Sequence, residues 1–293
     1  MRWPIALVCA CACGRVGFDP LVTSDAPTDT AGSDAVSVCA TWSTWSAPAI
    51  IPVVSSSATD WAPSISDDDL RLTFSSNRTG NQELYLSTRT STTDAWGTPS
   101  QIGELANASD EQDDPTTSSS ELEMIFGKTQ LLRTTRPNVT SPWGQRTVIV
   151  PNDFAFVQGA ELTHDDLRLY FNAGPSETHL YLMERPTPAS AFGAYAMITP
   201  DPDPGGDTGF PTLSADELEL FVSSNHGTGR DIYTAHRSTR TDAFPQFIVA
   251  GDLSSGGSDE IDPELSLDGT TMYQSIDSGA GFDLRVSTRT CQD

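Results

Sequence analysis

The most restrictive feature of this chain is a set of five arginines, each of which ends a short apolar run. Four of them are followed seven residues later by an aromatic residue, in the pairs Arg89/Trp96, Arg136/Trp143, Arg185/Phe192 and Arg237/Phe244. The fifth, Arg289, has almost no chain after it, and the segment that matches best is Trp45 to Pro48, near the other end of the sequence. A repeat whose last unit is completed by the N-terminal segment predicts a closed ring.

The repeat is about 50 residues long, a period typical of propellers rather than helical solenoids. Units begin near residues 60, 112, 158, 208 and 260. An anchoring proline stands near the start of four of them, at Pro63, Pro115, Pro211 and Pro263, with Ala160 in its place in the third. An aromatic residue follows ten or eleven positions later, at Phe74, Phe126, Phe171, Phe221 and Tyr273. Because Ala160 replaces the proline, we expect the third unit to be distorted.

Within each unit the apolar residues recur at every second position. Leu70, Leu72 and Phe74 alternate with Arg71 and Thr73, which is the pattern of a half-buried strand. Short segments of Asp, Asn and Gly separate these runs and favour hairpin turns. No convincing amphipathic helix follows residue 40, so each unit offers four strands.

A four-stranded sheet with two apolar faces must bury them against neighbouring sheets. The sequence therefore predicts an all-β fold: a five-bladed β-propeller of four-stranded blades, closed by the N-terminal strand. The segments at Pro63 and Pro211 share the pattern Pro-x-x-Ser-x-Asp-x-Leu, and together with the run from Leu84 to Arg89 they resemble the TolB-type, WD40-like (PD40) propeller repeat. The resemblance covers about residues 40 to 293. It implies the fold and leaves the activity open.

The composition is strongly acidic, with 40 acidic against 16 basic residues and a formal charge of −24. Nucleic acid is excluded as a partner, because phosphates require a basic surface. A solvated acidic exterior and an acid-lined binding site both agree with this charge.

The N-terminal region reads as an export signal. A short positive start is followed by an apolar run and by small residues before Cys13, which resembles a bacterial lipoprotein cleavage site, with Cys11 as the second candidate. An uncleaved or misplaced start is the alternative. We therefore divide the chain into a signal peptide over residues 1–13, a flexible acidic tether over 14–40 and the propeller over 41–293. A monomer in the bacterial cell envelope, lipid-anchored at the outer membrane and contacting the membrane only through its lipid, is expected.

Two cysteines remain for the folded domain, Cys39 and Cys291. Aligned on the arginine position of the repeat, they lie one residue apart at the point where the ring closes. An exported domain is exposed to oxidising conditions, so we expect a disulfide between them; two free thiols are the alternative.

No motif of a serine hydrolase or of a zinc site occurs in the mature chain, and no catalytic residue is assigned. Acids near the start of four first strands are the one constellation of interest: Asp60, Asp113, Asp207 and Asp259, with Asp114 beside the second and Asp262 near the fourth. First strands line a propeller's channel, so these carboxylates should gather at one mouth. They could cap turns, bind a hard cation such as Ca²⁺ or act as acid and base on a glycoside; turn capping is the simplest reading, and no other cofactor is expected.

Two functions follow. The first is a non-catalytic binding or scaffold propeller that contacts an envelope protein or a polysaccharide. The second is a carbohydrate-active hydrolase that uses the channel-mouth carboxylates. The near regularity of units one, four and five favours the first, because an enzyme needs acids that are unique to one or two blades.

Overall fold

The computed structural model describes residues 39, 41–106, 112–151, 153–226, 229–254 and 257–292. Cys11, Cys13 and all of the tether except Cys39 lie outside the described residues. The described chain forms twenty strands and no helix, arranged as five antiparallel four-stranded sheets. The predicted all-β, five-bladed propeller is confirmed.

Each blade is built from consecutive strands, innermost first. Blade 1 contains β2 (Asp60–Ile65), β3 (Arg71–Ser76), β4 (Glu83–Thr88) and β5 (Ser100–Gln101). Blade 2 contains β6 (Thr116–Thr117), β7 (Glu123–Phe126), β8 (Leu131–Thr135) and β9 (Thr147–Val150). Blade 3 contains β10 (Phe156–Leu162), β11 (Arg168–Gly174), β12 (His179–Glu184) and β13 (Ala196–Met197). Blade 4 contains β14 (Asp207–Leu213), β15 (Glu219–Asn225), β16 (Arg230–His236) and β17 (Ile248–Val249).

The last blade, blade 5, is completed from the other end of the chain. It contains β18 (Glu260–Leu265), β19 (Thr271–Asp277) and β20 (Phe282–Thr288), and its outermost strand is β1 (Ala49–Ile50). Ala49 pairs with Val286 in antiparallel register, and an isolated bridge joins Trp42 to Cys291. The predicted closure of the ring by the N-terminal segment is therefore confirmed.

The Cys39–Cys291 disulfide is also present, with the two α-carbons 5.6 Å apart. It lies beside the bridge between Trp42 and Cys291, so a covalent bond and strand pairing close the ring at the same place.

The repeated arginine has one role in all five blades. Its guanidinium stacks on an aromatic ring with the Arg carbon 4.2–4.4 Å from the ring centre, in Arg89/Trp96, Arg136/Trp143, Arg185/Phe192, Arg237/Phe244 and Arg289/Trp45. Its Nε donates to the carbonyl of a turn residue with positive φ, namely Asp69, Glu121, Asp166, Glu217 or Gly269. The sequence repeat thus marks a clamp that holds the turn between the first two strands of each blade.

The third unit is not distorted. β10 and β11 are seven residues long, and their register shifts between Gln158 and Glu161, as the inner strands of blades 1, 4 and 5 do at the equivalent place. The residue before the anchor position has positive φ in every blade: Ala62, Asp114, Gly159, Phe210 and Asp262. Glycine adopts that conformation freely, so Ala160 can replace proline without changing the bulge. The shortened unit is blade 2, whose inner strand β6 has two residues.

The core lies between neighbouring blades rather than within one. Phe74 and Trp96 of blade 1, for example, belong to one buried cluster with Tyr273 and Leu284 of blade 5. Within the described chain, no helix is long and apolar enough to cross a bilayer.

Candidate functional site

The innermost strands line the axis, and we call the face where they begin the upper face. Of the four predicted channel acids, Asp60 and Asp207 begin β2 and β14, while Asp113 and Asp259 stand just before β6 and β18. All four therefore lie toward the upper face. Among the described residues, no three Asp, Glu, His or Cys side chains are arranged to hold a metal ion.

Asp60 and Asp207 are engaged with arginines of their own blades. The Asp60 carboxylate is fully buried, accepts from Arg78 Nη2 at 2.6 Å and also accepts from the backbone N–H of Ser56 at 2.6 Å. Asp207 forms an ion pair with Arg230 and accepts from the hydroxyl of Thr178 at 2.7 Å. These two acids neutralise buried or half-buried cations.

Asp113 and Asp259 accept hydrogen bonds across blade boundaries. Asp113 of blade 2 accepts from the indole N–H of Trp61 in blade 1 at 2.6 Å. Asp259 of blade 5 accepts from the backbone N–H of Arg230 in blade 4 at 2.8 Å. Each of the four predicted acids thus has its own donors within the fold.

A second set of polar side chains lies deeper, at the bulge before each anchor position. The Asp262 carboxylate of blade 5 accepts from the N–H of Ala62 in blade 1 at 3.0 Å. Asp114 of blade 2 accepts from the N–H of Gly159 in blade 3 at 2.9 Å. These bonds connect neighbouring blades and satisfy N–H groups that the bulges remove from strand pairing.

A third layer follows directly after the anchor position, where the five blades carry Ser64, Thr116, Glu161, Thr212 and Glu264. Glu264 of blade 5 accepts from the N–H of Ile65 in blade 1 at 2.8 Å. Glu161 of blade 3 accepts from the hydroxyl of Thr212 in blade 4 at 3.1 Å. Thr212 in turn accepts from the N–H of Leu265 in blade 5 at 3.1 Å. Side chains of this layer therefore connect blades 3, 4, 5 and 1 in succession.

Burial in the channel changes the acidity of both deep layers. Desolvation raises the pKa of Asp262 to about 7 and that of Glu161 to about 8. Desolvation, together with the nearby carboxylates Asp113 and Asp262, raises the pKa of Asp114 well above its usual range. Desolvation and the neighbouring Glu161 do the same to the pKa of Glu264. These carboxyl groups hold protons at a pH where ordinary carboxylates are ionised.

The space beside the two glutamates is small. A cavity of about 50 Å³ borders Glu161 and Glu264, together with Asp67 and His164, whose Nδ1 lies 3.1 Å from Asp67 Oδ2. Its volume is far below the roughly 300 Å³ at which ligand pockets begin. The two glutamates can hold protons, but the cavity beside them is too small for a sugar.

A groove of about 840 Å³ lies between blades 5 and 1, and we call it the seam groove. Its lining includes apolar and aromatic side chains, acids and the disulfide: Trp42, Ile50, Val53, Trp96, Asp67, Asp68, Asp268, Cys39 and Cys291. A groove of about 580 Å³ occupies the equivalent place between blades 3 and 4, where Met197 and Phe244 line it.

Asp114 and Asp262 belong to the acids that the sequence predicts, whereas Glu161, Glu264 and Trp42 do not. In the column after the anchor, two glutamates stand among three hydroxyl residues, a departure from the repeat that marks Glu161 and Glu264. The repeat does not predict the position of Trp42, whose ring centre lies 4.2 Å from the Arg289 guanidinium carbon. Trp45 stacks on the same guanidinium.

Comparisons with known proteins bear on the fold alone. No protein-family model matches the chain, and no curated protein matches it. Among solved structures, TolB from Acinetobacter baumannii is similar with a TM-score of 0.53 and 17% identity over 82% of this chain, which spans 56% of that protein. The catalytic domain of a GH62 α-L-arabinofuranosidase from Coprinopsis cinerea has a TM-score of 0.58 and 13% identity, covering 85% of this chain and 96% of that one.

An endo-arabinase from Bacteroides thetaiotaomicron is equally similar, with a TM-score of 0.58 and 14% identity over 86% of this chain and 99% of that one. At these identities the likeness establishes a shared propeller fold and no activity.

Proposed function

We propose that this chain is a non-catalytic binding propeller of the bacterial cell envelope that recognises an envelope protein or polysaccharide. The observation that carries the proposal is the use of the channel carboxylates. Asp114, Glu161, Asp262 and Glu264 accept hydrogen bonds from neighbouring blades, and the space beside the two glutamates is about 50 Å³. Because these carboxylates accept hydrogen bonds that join the blades, they are poorly placed to flank the scissile bond of a substrate.

A carbohydrate-active hydrolase is the second candidate, favoured by one specific observation. The pKa of Glu161 is raised to about 8 by desolvation, and a carboxyl group that keeps its proton at neutral pH is suited to be a general acid. A glycosidase also needs a second carboxylate roughly 5 to 10 Å away and room for the sugar between them. The cavity beside Glu161 is too small to meet the second requirement.

Hydrolysis assays separate the two functions. The full chain should release no sugar from arabinan or arabinoxylan, the classes of polymer suggested by the names of the similar hydrolases, and Glu161→Gln and Asp113→Asn should change nothing. Hydrolysis that a single one of these substitutions abolishes would establish the enzyme instead.

Attachment to the envelope is part of the proposal. Cys13 would carry the lipid, with Cys11 as the second candidate, and two acyl chains would hold the protein at the outer membrane far more firmly than one. Cys13→Ser should move the protein into the soluble fraction, whereas Cys11→Ser should leave it with the membranes. Unchanged fractionation of Cys13→Ser would argue for another means of attachment. The proposed protein is a monomer with no nucleic-acid partner and no cofactor. A Ca²⁺ site at the channel mouth is the alternative that a Ca²⁺ titration distinguishes.

A further inference from the structure

We infer that the seam groove between blades 5 and 1 binds an extended, cationic and apolar peptide segment of a partner protein. The inference rests on the proposed binding function and names the place and the chemistry of recognition. It is carried by the apolar side chains, the charge and the shape of the groove.

The groove presents apolar side chains to solvent. Ile50 is 49% exposed and Val53 is 54% exposed, and both line the groove near the edge of blade 5. Val53 also has a φ of 71°, a left-handed conformation that is an outlier for a β-branched residue. Strained residues of this kind cluster at binding sites, where the surrounding structure maintains them.

The charge of the groove is negative. Among the described residues that line it are Asp67, Asp68, Asp69 and Asp268, with Arg89 as their one cation. Arg89 is occupied by Asp69, with Nη2 and Oδ2 2.5 Å apart. The Asp67 and Asp68 side chains keep 35% and 49% of their surface exposed, although Asp67 lies beside His164 and Asp68 beside Arg71. A ligand with positive side chains is therefore favoured over a neutral or anionic one.

The shape favours an extended chain. The lining runs from the inner turns of blades 1 and 5, at Asp67 and Asp268, to the outer strand β1 at Ile50. β1 is the edge strand of its sheet, and both of its residues are exposed. A peptide along this path would place apolar side chains against Ile50 and Val53 and cationic side chains against the acids of the inner turns.

The groove between blades 3 and 4 provides an internal comparison. Met197 on β13 takes the place of Ile50 on β1, and each is the second residue of its outer strand. There the acids Glu184 and Asp242 are balanced by Arg237 and Arg240. A cationic peptide should therefore bind the seam groove more tightly than the groove between blades 3 and 4. Both grooves are apolar and are formed by equivalent elements of their blades.

The test uses two fluorescein-labelled ten-residue peptides, one alternating Lys with Val and one alternating Glu with Val, and follows their anisotropy with the full chain. The Lys/Val peptide should bind, and binding should weaken as salt rises from about 50 mM to about 500 mM. Ile50→Lys and Val53→Lys should each weaken binding by at least about tenfold. Met197→Lys is the matched control and should leave the affinity unchanged. The pair Asp67→Asn and Asp68→Asn keeps the side-chain shape and should reduce the salt dependence. Melting curves identify any variant that fails to fold.

Equal affinity for the Glu/Val peptide, or no effect of Ile50→Lys and Val53→Lys in folded protein, would overturn the inference. So would absence of binding to the Lys/Val peptide. A dimer in sedimentation that Val53→Lys dissociates would assign the groove to a second copy of the chain instead. Each of these results leaves the binding function intact, because only sugar release in the hydrolysis assay contradicts that function.

Discussion

The guanidinium carbon of Arg289 lies 4.2 Å from the ring centre of Trp42, so the last blade and the N-terminal segment meet in a cation–π contact. Trp45 stacks on the same guanidinium at 4.4 Å. Two further bonds, 3.0 and 2.6 Å long, join it to the buried carboxylate of Glu219 in blade 4. One side chain therefore holds three parts of the ring together at its seam.

Replacing Arg289 by Lys should lower the free energy of unfolding by about 2 kcal/mol, because lysine keeps the charge and loses the two-point contact with Glu219. Arg237→Lys is the matched control. Arg237 also stacks on one ring, that of Phe244, but its closest approach to a carboxylate is 3.5 Å, to Glu217. A loss of about 1 kcal/mol or less is expected there. Urea denaturation of both variants measures the difference, and equal losses would show that the seam contact has no special weight.

The disulfide should contribute more than any single side chain. Cys39 and Cys291 are separated by 252 residues, and closing a loop of that length restricts the unfolded chain by up to roughly 5 kcal/mol in the loop-entropy model. A reducing agent should therefore lower the melting temperature of the native protein. The double variant Cys39→Ser/Cys291→Ser should melt at that lower temperature with or without the reductant. Indifference of the native protein to reduction would contradict the prediction.

The fold could be predicted from the sequence because its determinants repeat. In blades 1 to 4 the arginine contacts the aromatic residue seven positions later across a short loop, as in Arg89/Trp96. The spacing of the two residues in the sequence therefore predicts the contact directly. The ring closure was predictable for the same reason, since Trp45 completes a pattern that the last unit lacks.

The polar contacts of the channel were less predictable, because they join residues that are far apart in the sequence and belong to no shared local motif. The sequence marks Asp60 as an acid near the start of an inner strand, but its partner Arg78 lies 18 residues away, in a turn that the sequence marks only by its Asn and Gly. The bond from Ile65 to Glu264 spans 199 residues and depends on how blades 1 and 5 align. The seam groove depends in addition on side-chain exposure at Ile50 and Val53, which the strand pattern does not report.

Stability should fall as the pH rises from about 4.5 to about 8. The pKa of Glu161 is raised in the folded state to about 8 by desolvation, so the folded protein binds a proton that the unfolded chain, with an ordinary pKa, releases. The stabilisation is complete at a pH below the pKa of Glu161 in the unfolded chain. It is lost as the pH rises through the pKa of Glu161 in the folded protein. Because Glu161 is only half-buried beside the small cavity, we expect a loss of roughly 1 to 2 kcal/mol.

Glu161→Gln tests this directly, because glutamine keeps an oxygen for the Thr212 hydroxyl and carries no titrating proton. The variant should match the native protein near pH 4.5 and be more stable near pH 9. Chemical denaturation across the pH range measures both. Parallel pH profiles of the two proteins would show that Glu161 does not store the proton.

The four upper-face acids should respond unequally to substitution by asparagine. Asp60→Asn leaves the Arg78 guanidinium without its buried counter-ion and should cost about 2 to 3 kcal/mol. Asp259→Asn retains an oxygen for the N–H of Arg230 and should cost about 1 kcal/mol or less.

A Ca²⁺ titration of the native protein, followed by its melting temperature, tests whether Asp60, Asp113, Asp207 and Asp259 also bind a cation. A ligand that binds only the folded state raises that temperature by mass action. Each acid is already bonded to its own donors, so we expect no rise, and a rise that any of the four Asn variants abolishes would establish the cation site.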